Sequence, residues 1–128
     1  MAPLLKTAAE DPSEEVRLEA ACALAMLGDN TYVDTVIESF KARPKSSIAE
    51  ALGKLGDPRG IEPLIDFLKA GTVGPIITRL YTARALGQLG DARAIPILEA
   101  MLDNPSSYVR GFAHEALDAI RNQSASPE

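Results

Sequence analysis

The segment Ala51–Gly60 reads ALGKLGDPRG, and 34 residues further on Ala85–Ala94 reads ALGQLGDARA. A stop signal for one helix, followed at once by a start signal for the next and then repeated, leaves few folds open. Aligning on the Ala-Leu pair gives four copies, Ala23-Leu24, Ala51-Leu52, Ala85-Leu86 and Ala116-Leu117, spaced by 28, 34 and 31 residues. Periods in this range mark supersecondary units that stack on one another.

Each copy closes a helix whose apolar residues share a face, as Val109, Ala113, Ala116, Leu117 and Ile120 do. Gly28, Gly56 and Gly90 then supply the left-handed residue that ends a helix. Asp29, Asp57 and Asp91 follow as N-cap carboxylates for the next one. That second helix has its own stripe, Ile61, Leu64, Ile65 and Leu68 in one copy and Ile95, Leu98, Met101 and Leu102 in another. Pro63 and Pro96 fall near its start, where a missing amide costs least. The unit is a helical hairpin with a first helix A and a second helix B. One hairpin cannot bury both apolar faces, so neighbours stack into a solenoid with a shared core.

The expected class is all-α, with four hairpins at about 1–28, 29–56, 57–90 and 91–121 and a polar C-terminal tail over 122–128. About eight helices are expected, at roughly 2–10, 13–27, 30–42, 45–55, 58–70, 74–89, 92–103 and 105–121. With 46% hydrophobic residues, the 128-residue chain has enough apolar matter for a continuous core. No apolar run approaches the roughly 18 residues needed to span a bilayer, so a soluble, cytoplasmic protein with no membrane partner is expected. Cys22 is the single cysteine, which excludes an internal disulfide and a cysteine-based zinc site. Thirteen basic residues against eighteen acidic ones leave a net charge of −5, which opposes a phosphate backbone.

The pattern DPSEEVRLEAACALAMLGD, followed in a later copy by GDPRGIEPLIDFL, resembles the HEAT-like repeats of the phycobilisome-lyase type. The resemblance runs from about Pro3 to Arg121 and implies a right-handed α-solenoid. It also implies a ladder between repeats, built from an aspartate in the A–B turn and an arginine six residues on. Asp11 with Arg17 fits that pattern, and Asn104 with Arg110 fits it with an amide replacing the acid. Lys45 and Arg79 continue the basic column, opposite Ser39 and Val73.

The same resemblance extends to the deoxyhypusine hydroxylases, in which His-Glu pairs following a Val-Arg dipeptide bind two irons. The corresponding slots here are Leu18-Glu19, Ser46-Ser47, Leu80-Tyr81 and Gly111-Phe112, none with a histidine. His114, the single histidine, lies three positions too late and is expected at the surface. No catalytic residue, metal or cofactor is therefore assigned, and the chain is expected not to be an enzyme.

What remains is the surface of the B helices, which the resemblance makes concave. A rotation of 100° per residue places Leu18, Cys22 and Ala25 on that side in the first copy and Ser46, Glu50 and Gly53 in the second. Leu80, Arg84 and Gly87 follow in the third, with Gly111, Glu115 and Asp118 in the fourth. This surface is expected to be apolar at its N-terminal end and acidic at its C-terminal end. Leu18 and Leu80 are expected to be exposed there, with Tyr81 and Phe112 beside them, and Gly53 and Gly87 to admit a peptide closely. The expected function is a non-enzymatic scaffold that binds a protein or peptide through Leu18, Cys22, Glu50, Leu80, Tyr81, Arg84 and Glu115. The alternative is an accessory subunit or regulator of an enzyme, including a bilin-lyase-like one. Because the first hairpin has no polar capping helix, self-association through the N-terminal edge is a further expectation.

Overall fold

A computed structural model of the chain describes residues 7, 8, 10–70 and 75–124. The helix expected over 2–10 falls largely outside these residues. Seven α-helices lie within them, and none of the described residues forms a strand. In chain order they are α1 (Glu14–Met26), α2 (Val33–Ala42), α3 (Ser46–Leu55), α4 (Ile61–Lys69), α5 (Ile76–Leu89), α6 (Ile95–Met101) and α7 (Ser107–Ser124). The B helices are α1, α3, α5 and α7; the A helices are α2, α4 and α6. The molecule is an α-solenoid.

The helix boundaries follow local chemistry. Gly56 and Gly90 end α3 and α5 in the left-handed conformation, at φ +73° and +70°. Asp57 and Asp91 then do something slightly different from capping an α-helix. Each accepts from the amide two residues on, that of Arg59 (2.9 Å) or Arg93 (2.8 Å), and so starts a 3₁₀ turn, Pro58–Gly60 or Ala92–Ala94, that leads into the A helix. The A helices are accordingly shorter than the periodicity suggests. At the other end α7 runs to Ser124, into the stretch expected as a polar tail. Its sequence IRNQS has no glycine where the other copies have Leu-Gly-Asp, so nothing stops it, and Arg121 donates to Glu99 Oε2 (2.8 Å) along the way.

One large apolar cluster runs through the repeats, with Leu52, Leu86, Leu98, Leu117 and Ile120 almost fully buried. Phe40 and Phe67 meet edge to face at 5.4 Å in the A layer. Ala20 and Leu24 form a separate small cluster in the first hairpin, flanked by Ala8 and Tyr32. Packing is uneven between the layers. The broadest contacts in the molecule are B on B, α5 with α7 and α3 with α5, whereas α2 with α4 and α4 with α6 barely touch. Helices held close in one layer and apart in the other bend the stack toward the close layer, so the B helices line the concave side.

Candidate concave interaction face

The B helices approach each other through a column of small residues. A Cβ built on Gly53 would lie 2.8 Å from Ala85 Cα, and one on Gly87 would lie 2.8 Å from Ala116 Cα, closer than carbon atoms tolerate. Gly53 and Gly87 are therefore buried in the seams between successive B helices. Gly53 is closed to a ligand, contrary to the expectation that it admits a peptide, whereas Gly87 stays within reach in the lining of a groove between α5 and α7. Leu80 is corrected in the same way: its residue is 6% exposed, one helical step from Tyr81 and turned into the interior. The aligned positions Ala21, Ala25, Ala49 and Ala83 are buried too. In α7 the same column holds Gly111, His114 and Asp118, all exposed.

The solvent-facing stripe is rotated away from this seam. It runs through Glu19, Cys22 and Met26 on α1, Ser47, Glu50 and Lys54 on α3, Tyr81, Arg84 and Gln88 on α5, and Phe112, Glu115 and Ala119 on α7. Ile77 and Tyr108 extend the last two stripes by a turn, Tyr108 with 71% of its surface exposed. The expected polarity is thus reversed. The N-terminal half carries Glu19, Glu50 and Lys54, and the C-terminal half carries the aromatic residues. Leu18 and Cys22 are half-buried against the core, and burial pushes the Cys22 thiol above its ordinary pKa.

Tyr81 and Phe112 stack across the α5–α7 seam with ring centroids 6.5 Å apart and planes 23° from parallel. The Arg84 guanidinium lies over the Tyr81 ring, 5.8 Å from its centroid. Beside this pair runs a groove of about 250 Å³ between α5 and α7, floored by Gly87, Ala116 and Ala119 and walled by Arg84 on one side and Phe112 and Glu115 on the other. At the N-terminal end a second opening of about 520 Å³ separates α1 from α2, with Arg17, Leu18 and Ser39 on its walls.

The expected ladder is a pair of local clamps. Asp11 Oδ1 accepts from the Ser13 amide (2.8 Å), while Arg17 Nη1 donates to the carbonyls of Asp11 and Pro12 (2.8 Å each). Asn104 Oδ1 accepts from the Ser106 amide (2.9 Å), and Arg110 Nη1 donates to the carbonyls of Asn104 (2.8 Å) and Pro105 (3.0 Å). Both arginines thus tie down the turn before their own B helix and reach no neighbouring repeat. Lys45 immediately precedes α3, and Arg79 holds the fourth position of α5 as Arg17 and Arg110 do in α1 and α7; neither makes such a clamp among the described residues.

Cross-repeat polar contacts form elsewhere. Arg59 chelates Asp57 and reaches back to Asp34 in α2 (3.8 Å), and Arg93 chelates Asp91 and reaches back to Glu62 in α4 (3.0 Å). The Arg59 hydrogen bonds hold the Asp57 carboxyl far below the usual carboxylate range, and Arg93 lowers that of Asp91. The sequence signal was the repeated Asp-x-Arg in GDPRG and GDARA.

A family model of HEAT repeats matches the chain over residues 1–77 and 74–128. A deoxyhypusine hydroxylase of Drosophila pseudoobscura pseudoobscura is 32% identical over 108 residues, covering 82% of this chain and 35% of that protein. The chain thus spans about a third of the length of this relative. The expectation of a non-enzymatic chain is corrected by the match, since the relative bears an enzyme's name.

The iron ligands implied by the hydroxylase resemblance can be set against the residues present. The four slots after Arg17, Lys45, Arg79 and Arg110 hold no histidine, and His114 is exposed on the flank of α7. Among the described residues no group of three or more His, Cys, Asp or Glu side chains could hold a metal ion. This donor set does not fit a di-iron centre. No helix among the described residues is long and apolar enough to cross a membrane.

Proposed function

The chain belongs to the HEAT-repeat family, and from that premise we propose that it binds a protein or peptide partner along the C-terminal half of its concave face. The observation that carries this reading is the stripe of Ile77, Tyr81, Tyr108 and Phe112, aromatic or aliphatic side chains gathered on two neighbouring helices of a mixed face. Aromatic residues beside arginine, on a rigid scaffold, are the composition of interface hot spots. Of the residues expected from sequence, Tyr81, Arg84 and Glu115 belong to this half. Leu18, Cys22 and Glu50 belong to the other, and Leu80 is buried. The 28-, 34- and 31-residue units support the phycobilisome-lyase type of repeat within the family.

The test compares captures from the source lysate by wild type, a Tyr81→Ser/Phe112→Ser variant and an Asp66→Ser control on α4. A protein held by wild type and control and lost by the double variant supports the reading. Equal capture by all three overturns it.

The match to a hydroxylase favours a second reading, in which the chain is a segment or accessory of an enzyme of that kind. Hydroxylation by a full-length deoxyhypusine hydroxylase, assayed with and without this chain, decides it. A changed rate or co-purification of the two supports this reading, and the absence of both removes it.

A further inference from the structure

Five of the eight arginines have their guanidinium groups met by the protein itself: Arg17 and Arg110 by turn carbonyls, and Arg59, Arg93 and Arg121 by carboxylates. Arg43, Arg79 and Arg84 make no ion pair among the described residues, and of these three Arg84 is the one that rests on an aromatic ring, that of Tyr81, exposed on the concave side. Contact with a ring face leaves the in-plane N–H donors of a guanidinium available for two-point binding of a carboxylate. Glu115 stands on the opposite wall of the same groove, also without an ion pair among the described residues. The rest of the lining is apolar at Phe112, Gly87, Ala116 and Ala119 and carries the side-chain amides of Gln88 and Gln123. At about 250 Å³ the groove is smaller than the roughly 300–1,000 Å³ of small-molecule sites. It suits a side chain of a larger ligand.

We propose that the α5–α7 groove recognises a peptide segment in which one apolar side chain is flanked by an acid and a base. The acid pairs with Arg84, the base pairs with Glu115, and the apolar side chain lies on Phe112 over the small-residue floor. Charge complementarity across the groove fixes the direction in which the segment lies. The proposal rests on the reading of the concave face as a protein-binding surface and specifies what that surface selects.

A displayed library of random 12-residue peptides, panned against the folded protein, tests this. Wild type is expected to enrich peptides with Asp or Glu on one side of a Leu, Ile, Met or Phe and Lys or Arg on the other. R84E is expected to weaken the best of these about tenfold or more in fluorescence anisotropy and, when panned itself, to replace the acid by a base. E115K is expected to invert the other preference, and R84K to keep the acid preference with weaker binding. Enriched peptides that Tyr81→Ser/Phe112→Ser weakens but R84E and E115K leave unchanged would overturn the charge selection and keep the concave-face reading. Peptides indifferent to all four variants, or no enrichment at all, would overturn both. Circular dichroism of each variant confirms that it is folded.

Discussion

The α5–α7 seam and the α1–α3 seam use aligned positions, and at the Gly87 position they differ by one methyl group. Where Gly87 faces Ala116, the two helices touch backbone to backbone; where Ala25 occupies the glycine position, packing between α1 and α3 is clearly less extensive. The second copy also begins its B helix late, at Ser46, and an opening lies between Glu15 and Leu18 of α1 and Lys45 and Ile48 at the start of α3. Tight seams keep neighbouring aromatic stripes in reach of each other. A closed seam goes with a continuous surface in the C-terminal half, and a shorter, looser one with a cleft in the N-terminal half.

The largest effect expected from breaking the comparison is in the core. Leu86→Ala should lower the unfolding free energy by about 3–5 kcal/mol, because Leu86 lies in the main cluster that joins the repeats. Leu24→Ala, in the satellite cluster of the first hairpin, should lie nearer 2 kcal/mol. Urea titrations of the two variants measure the difference, and equal losses would erase the distinction between the halves. Next comes Gly87→Ala, whose Cβ must push α5 from α7 and should cost about 1–3 kcal/mol.

Acid should act on the outer clips. Asp57 and Asp91 titrate lower in the folded chain than in the unfolded one, so their contribution is present above about pH 4 and is lost as pH falls below it. Unfolding midpoints between pH 2 and 6 should fall less steeply in an Asp57→Asn/Asp91→Asn variant. The smallest effect has the opposite sign. Gly111 occupies the seam column where no helix follows among the described residues, and an added Cβ meets nothing within 4 Å. Gly111→Ala should therefore stabilise by about 0.5–1 kcal/mol through helix propensity, measured as a raised Tm, while Gly87→Ala, in a closed seam, destabilises.

The hairpins were legible because their signals are backbone chemistry. A left-handed glycine followed by a capping aspartate means the same thing in any context, and Gly56-Asp57 and Gly90-Asp91 behave accordingly. Rotation of the B helices was not legible. Apolar residues surround α1 and α5 with no dominant face, whereas α3 between them has a clear one. Leu80 and Tyr81 are adjacent apolar residues, and only the position of α7 decides that one is buried and the other shapes the surface. Burial by a helix some thirty residues away leaves no local mark. The Arg59 and Arg93 clips were hidden for the same reason: the Asp-x-Arg pattern is visible, but the reach to Asp34 and Glu62 depends on how the A helices lie.

The unequal layers also give the molecule a mechanical character. The glycine seams form a close-packed spine, while the A helices meet more loosely, through the shared cluster and the Phe40–Phe67 pair, with exposed ion pairs outside that salt can weaken. Bending therefore changes the gaps along the back and leaves the length of the spine constant. A ligand laid along α5 and α7 keeps its spacing of anchor points while the solenoid opens and closes around it, much as a hinge strip holds its screws at fixed intervals through the swing of a door.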